Sequence, residues 1–381
     1  MNIVRIATVA LAFATLASAP SFGQQTVRLT NVCELSGPGT TAGTLWRNGV
    51  NLAIKEINAQ GGILGRKIEI TTVDTQTKPD VAKSLAEKML DEKPYVMLGP
   101  VFSGSVKVNM VVAEQAGIPQ FMGGEAADLT LQGNPFLFRT AFSQATGMPK
   151  VAAWIANGLK AKTIALVWIN NDFGKGGRDA VKRELAARGV NVVADISTEP
   201  AAADYAAAVV RAKQSGADAL FAYLTEEESA RLLIELRKQG YDKPIVGETT
   251  IMGQKVIELA GGAAEGVRGH VGLTVDAPVP LIQAFAKRYL DEYKSASDHN
   301  GMKGYTAVYF VKAVTEKLGK FDPKAFAAAM KGLKLSAKDH PGILMDVSFD
   351  DKGDIDRESF LVEVKNGKQT VIEVLPPLGK K

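Results

Sequence analysis

The 381-residue chain sets 45 Lys and Arg against 41 Asp and Glu, a formal net charge of +4 with both signs interspersed. It therefore has no basic block of the kind that marks a nucleic-acid binder. A single cysteine excludes an intrachain disulfide, and the three histidines, at 270, 299 and 340, are not spaced as metal-ligand pairs, so a zinc site or a catalytic triad has little material.

The chain begins MNIVRIATVALAFATLASAPSFGQQ. Arg5 precedes an uncharged apolar stretch from Ile6 to Ala17, and small residues follow. This is the pattern of a secretory leader, too short for a stable membrane span. Cleavage after Gly23 is expected, with the mature chain starting near Gln24; a retained anchor is the alternative. No later stretch has the apolar length of a transmembrane helix. The mature length suits two domains of ordinary size.

From there strand and helix alternate. VRLTNV (27–32) reads as a strand. LWRNGVNLAIKEINAQGG (45–62) places Trp46, Val50, Ala53, Ile54 and Ile57 at helical spacing and closes on two glycines. KIEITTVD is a strand, PDVAKSLAEKML a helix, YVMLG a strand, VKVNMVVAEQAG a helix and IPQFMG a strand. The pattern restarts at TIALVWI (163–169) and runs through strands NVVADI, ALFAYL and PIVGE, each followed by a helical stretch. Alternation of this kind predicts parallel sheets covered by helices, and two runs predict two α/β lobes. The stretches 139–149 and 269–280 read as crossings between them. Two helical stretches (281–294 and 303–319) and β-rich pieces ending in QTVIEVL close the chain. The lobes are expected to be discontinuous and joined by a multi-strand hinge, with 24–143 plus 274–350 in the first and 144–273 plus 351–381 in the second. Cys33, in an apparent strand, reads as a buried inert thiol.

In open parallel sheets ligands sit beyond the carboxyl ends of the strands. That rule selects CELSGPGTTAG, PVFSGS, MGGEAAD, INNDFGKGG, YLTEEES and GETTIMG. In PVFSGS, Ser103 stands where a helix N-cap belongs. Its hydroxyl can cap the helix, or donate to an anion lying on the free N–H groups at the helix start. A nucleophile is disfavoured, because no G-x-S-x-G frame surrounds it. Phe173 can cover a ligand or pack between loops. Glu125 and Glu248 follow strand ends and can pair with a ligand ammonium or stay solvated. The acids of TEEES open a helix and read as capping. Trp46 and Tyr305 read as core. FGKGG matches a phosphate loop only superficially, and nothing calls for a nucleotide or other cofactor.

Together LSGPGTTAG, INAQGGILGRKIEI, DTQTKPDVA, YVMLGPVFSGS, FRTAFS, DFGKGG, AGGAAEG and VSFDDKGD give the chain its resemblance to the periplasmic leucine/isoleucine/valine-binding family of ABC-transporter solute receptors. The likeness runs along almost the whole mature chain. It implies an α/β, two-lobed type I periplasmic-binding fold that closes on a small ligand. Ser103 matches the serine that holds the ligand carboxylate, with Gly104 beside it. Phe173 matches a cleft aromatic position, usually tyrosine. The loop holding Gly124, Glu125 and Ala126 matches a segment of main-chain and hydroxyl contacts, with Glu125 or Ala126 in place of the usual threonine. The family acid that takes the ammonium falls at Glu248 or Thr249. Ala42 stands where an aromatic often lines the cleft, and the family's short disulfide is replaced near Thr77 and Phe102.

The resemblance implies a periplasmic, non-enzymatic receptor for a branched-chain or related amino acid, acting as a monomer that delivers ligand to a membrane permease. No cofactor, metal or nucleic acid is expected. An aromatic or other acid without the ammonium group is the rival ligand, and a sensor subunit built on the same fold is the rival role.

Overall fold

A computed structural model of the chain describes residues 26–379; the expected leader, 1–23, lies outside them. The first sheet is fully parallel, in the order β2-β1-β3-β4-β5. Its strands are β1 (Val27–Cys33), β2 (Ile68–Asp74), β3 (Val96–Leu98), β4 (Gln120–Met122) and β5 (Leu137–Arg139). Parallel neighbours need crossover helices. These are α1 (Thr40–Ala59), α2 (Pro79–Met89), α3 (Ser103–Ala116) and the short α4 (Asp128–Leu131).

The chain then builds a second sheet from β6 (Thr163–Ile169), β7 (Asn191–Thr198), β8 (Ala219–Tyr223), β9 (Ile245–Glu248) and β10 (Arg268–Val271). The helices α5 (Gln144–Asn157), α6 (Asp172–Ala186), α7 (Ala206–Gln214), α8 (Glu226–Lys238) and α9 (Gln254–Ala260) belong to this run. Next, α10 (Pro280–Tyr293), α11 (His299–Leu318) and α12 (Pro323–Met330) return to the first unit. A small antiparallel sheet follows there, made of β11 (Lys334–Leu335), β12 (Val347–Phe349) and β13 (Ile355–Asp356). Finally β14 (Ser359–Lys365) and β15 (Lys368–Leu375) complete the second sheet, whose order is β15-β14-β10-β9-β8-β6-β7. Only these last two strands run antiparallel to their neighbours, so the sheet is mostly parallel, as expected.

The chain thus passes between the sheets three times, at 140–143, 272–279 and 357–358. The first passage is shorter than the 139–149 read from sequence, because α5 begins at Gln144, where the Ser143 side chain accepts from Ala145 N–H. Gly147 and Pro149 lie inside that helix and hid it. The second begins only after β10. The antiparallel sheet carries the first unit to Asp356, past residue 350, and Asp354 pairs with the buried Arg139.

Packing of α1 on α11 fixes the first lobe. A Cβ on Gly49 would fall 1.9 Å from the Gly301 carbonyl oxygen, so the two backbones touch and only glycine fits. Trp46 is fully buried beside them, its indole N–H bonded to Asn31 Oδ1 at 3.0 Å. Tyr305 is 1% exposed, and both aromatics are core as expected. Cys33 is wholly buried, and burial pushes its thiol far above the usual range, so it is inert.

Candidate functional site

A cavity of about 390 Å³ lies between the two units and is lined from both. On one wall, the buried strand β3 feeds the loop Gly99–Phe102 and then α3. The helix starts one residue earlier than the capping pattern suggests: Phe102 occupies the extended N-cap position, and Ser103 is the first helical residue. Ser103 is therefore not the cap. Its Oγ accepts from Ala126 N–H at 3.2 Å, and its own proton remains available. Below the turn, Glu34 accepts from Val101 N–H at 3.1 Å and from Phe102 N–H at 3.2 Å. Burial pushes that carboxyl up to about 7. With those two amides held by Glu34, the first-turn N–H groups of Ser103, Gly104 and Ser105 border the cavity without intrahelical acceptors.

The MGGEAAD loop divides its expected roles. Glu125 lines the cavity and is 5% exposed; its Oε1 meets Lys303 Nζ at 2.8 Å. Burial raises its carboxyl, and the Lys303 ammonium pulls it back. Gly124 and Ala126 do not line the cavity. Their carbonyls accept from the Arg139 guanidinium, which stiffens the loop from behind.

On the facing wall, Asn171 caps α6 by accepting from Gly174 N–H at 2.9 Å. Phe173 follows in the first turn, lines the cavity and stacks on buried Tyr223, with ring centroids 4.2 Å apart. Gln144 donates to both the Phe173 carbonyl (2.8 Å) and the Tyr223 hydroxyl (3.1 Å), fixing the stack.

The acid run Glu226–Glu228 is more than a helix cap. Glu226 is 3% exposed and borders the cavity, and its Oε1 accepts from Asn300 Nδ2 of the opposite unit at 3.1 Å. Burial, and then the charges of Glu227 and Asp298, push its carboxyl up to about 8. Thr41 donates to Glu227 across the same gap. These bonds hold the two units in a closed arrangement.

Glu248 and Thr249 do not line the cavity. The β9–β10 register sets Glu248 alongside His270. Glu248 Oε1 accepts from Thr249 Oγ1 at 2.7 Å and is hydrogen-bonded to His270 Nδ1 at 3.0 Å. Burial raises the carboxyl to about 7 and lowers the imidazole to about 3, so near neutrality the imidazole is neutral and the carboxyl is only partly ionised. Thr250, rather than Thr249, reaches the cavity.

Lys303 and Asn300 were not singled out from sequence. Their signal was Asp298, whose side chain accepts from Asn300 and Gly301 N–H and starts α11 at His299. A helix begun at 303 misses the whole first turn. Ala42, Thr77 and Phe102 all border the cavity, so the departures noted at those positions face the ligand space. Among the described residues, no group of three or more His, Cys, Asp or Glu is placed to hold a metal ion, and no helix is long and apolar enough to cross a membrane.

Two α/β lobes that share a strand-end cleft, bordered by helix N-termini from each side, define a binding protein of the type I periplasmic fold. The chain belongs to the periplasmic binding protein family, whose sequence profile matches residues 26–369. It is 28% identical over 353 residues to the Leu/Ile/Val-binding protein BraC3 of Rhizobium johnstonii, covering 92% of this chain and 93% of that one. It is 24% identical to a leucine-, isoleucine-, valine-, threonine- and alanine-binding protein of Pseudomonas aeruginosa, covering 93% of each. Among solved structures it superimposes on the branched-chain amino acid transporter substrate-binding protein LivJ of Streptococcus pneumoniae in complex with isoleucine. The TM-score is 0.84 at 24% identity, covering 93% of this chain and 100% of that one. A solute-binding protein of an R. palustris ABC transporter in complex with benzoate gives a TM-score of 0.85 at 22% identity, covering 93% and 98%.

Proposed function

We propose that the chain is the extracytoplasmic solute receptor of an ABC importer, closing on a small carboxylate-bearing ligand, a branched-chain or related amino acid. The observation that carries this is the α3 start, where Ser103, Gly104 and Ser105 offer a hydroxyl and backbone N–H groups to the interlobe cavity. A helix N-terminus with unsatisfied amides suits a carboxylate. The cavity, about 390 Å³, is at the small end of ligand sites. Val101, Ile169 and Phe173 give the ligand side chain an apolar wall. For the ammonium group, Glu226 is a cleft carboxyl without an ion-pair partner among the described residues, whereas Glu125 already has Lys303 and Glu228 accepts from Thr225 Oγ1 and Ala201 N–H.

Ligand favours closure by touching both lobes, which turn about the three crossings; the lobes are taken as 26–143 plus 274–356 and 144–273 plus 357–379. The closed form then docks on a membrane permease as a monomer, after removal of a leader near residue 23. The role is non-catalytic. The Ser103 hydroxyl accepts from a backbone amide; His270 and His340 lie outside the cavity lining, and His299, which borders it, is held neutral by burial.

An aromatic acid is the second reading. The withdrawal of Glu248 to His270 and the neutralisation of Glu125 by Lys303 favour it, because both remove an expected ammonium partner. Titration calorimetry with leucine, isoleucine, benzoate and the deaminated analogues of the amino acids tests both. Binding lost on deamination supports the amino acid. Equal binding of an amino acid and its analogue moves the assignment to the aromatic acid. Heat from none of them refutes a small-carboxylate receptor.

A further inference from the structure

The three crossings between the lobes converge on one ring. Phe142 lies in the first crossing and is 4% exposed. Gly272, in the second, packs directly on it: a Cβ there would fall 2.1 Å from Phe142 Cδ2. Arg357, in the third, holds its guanidinium carbon 5.5 Å from the ring centroid. The Lys150 ammonium, from α5, sits 5.1 Å from the same centroid, and His270 meets the ring edge-on at 5.6 Å.

Two cations are therefore buried in the joint, and neither has a carboxylate within ion-pair distance among the described residues. Arg357 is 2% exposed, and its Nε, Nη1 and Nη2 have no hydrogen-bond partner among the described residues. Lys150 donates to Ser359 Oγ at 2.7 Å, a neutral acceptor. The nearby acids are otherwise engaged. Asp356 accepts from Leu378 and Gly379 N–H, Glu358 is exposed, and Glu248 is bonded to Thr249 and His270. Burial lowers Arg357 to about 9 and Lys150 to about 8, so both remain mainly cationic at neutral pH. A buried charge needs a counter-charge with good hydrogen bonds, and a ring face supplies only part of it.

We propose that the hinge binds a small inorganic anion of the halide class against the Arg357 guanidinium, in the field of Lys150. The anion must be small, because Ser359, His270 and Phe142 around it are all buried. It would tie the first and third crossings together, so any difference in its affinity for open and closed forms biases closure. The site is independent of which solute the cleft takes.

The test uses the whole mature chain without solute. Thermal unfolding is compared in sodium chloride and sodium gluconate at equal ionic strength, for the native protein and Arg357→Met. A bromide-soaked crystal of the native protein is examined by anomalous scattering. The expected results are a saturable, chloride-specific rise in Tm that Arg357→Met abolishes and a bromide peak within hydrogen-bond reach of the Arg357 guanidinium. If Arg357→Met does not fold, Lys150→Met takes its place and should reduce the rise. Equal Tm in the two salts, a rise that the substitution leaves intact, or bromide at surface positions only would overturn the proposal and leave water as the guanidinium's partner.

Discussion

Replacing Lys303 by methionine should be costly in a way that an ordinary lysine replacement is not. Its Nζ lies 2.8 Å from Glu125 Oε1, and the two side chains are only 4% and 7% exposed. Methionine keeps most of the stem's packing and removes the charge. Deleting one partner of a buried pair costs about 3–5 kcal/mol, against roughly 0.2–1 kcal/mol for an exposed pair. The loss should also depend on pH. Without Lys303, the Glu125 carboxyl titrates in the folded state further above its unfolded value. The folded state then keeps a proton that the unfolded state releases. That contribution to stability is complete below the unfolded value and is lost as pH rises through the folded one. Urea unfolding without ligand should therefore show a larger deficit for Lys303→Met at about pH 8 than at about pH 5. The double variant with Glu125→Gln should recover much of the deficit. A loss under about 1 kcal/mol at the higher pH, or one equal at both, would refute the buried-pair argument.

Ser103→Ala should weaken a carboxylate ligand by about 1–3 kcal/mol in calorimetry while leaving the fold intact; unchanged affinity would return the hydroxyl to its bond with Ala126 N–H alone. Burial raises Glu226 to about 8 in the closed form, above the value it has when solvated, so closure takes up a proton. Ligand-free protein should accordingly be most compact at low pH and expand as pH rises through about 8, read by small-angle scattering, and Glu226→Gln should flatten that dependence. A profile unchanged in Glu226→Gln would count against this latch.

Much of the fold was legible because β-α alternation is written locally, in apolar strands and amphipathic helices with glycines at their ends. What failed depended on context. The helix α5 was lost to Gly147 and Pro149, residues that a helix tolerates when its neighbours pack well on both sides. Starting α11 at residue 303 instead of 299 hid Asn300 and Lys303, although Asp298 is an ordinary cap. Ser103, Gly104, Glu125 and Phe173 border the cavity, and strand-end position, a local property, is what points to them. Glu248 was misplaced because its neighbour, His270, is fixed by strand pairing that no local pattern reports. Glu226 was read as a cap because a carboxylate in a helix's first turn has the same sequence signature whether it faces water or a closing cleft.

The contact of Gly49 with Gly301 also bears on how the chain acquires its structure. These residues are roughly 250 positions apart, yet their backbones touch, so the first lobe cannot close its core until its distant segment has been made. Contacts this remote in sequence are formed late and slowly, because the loop entropy is lost before the packing is gained. Until α11 is available the first lobe lacks this packing. For a protein proposed to leave the cytoplasm before it works, such a delay would leave the first lobe open to threading through an export channel.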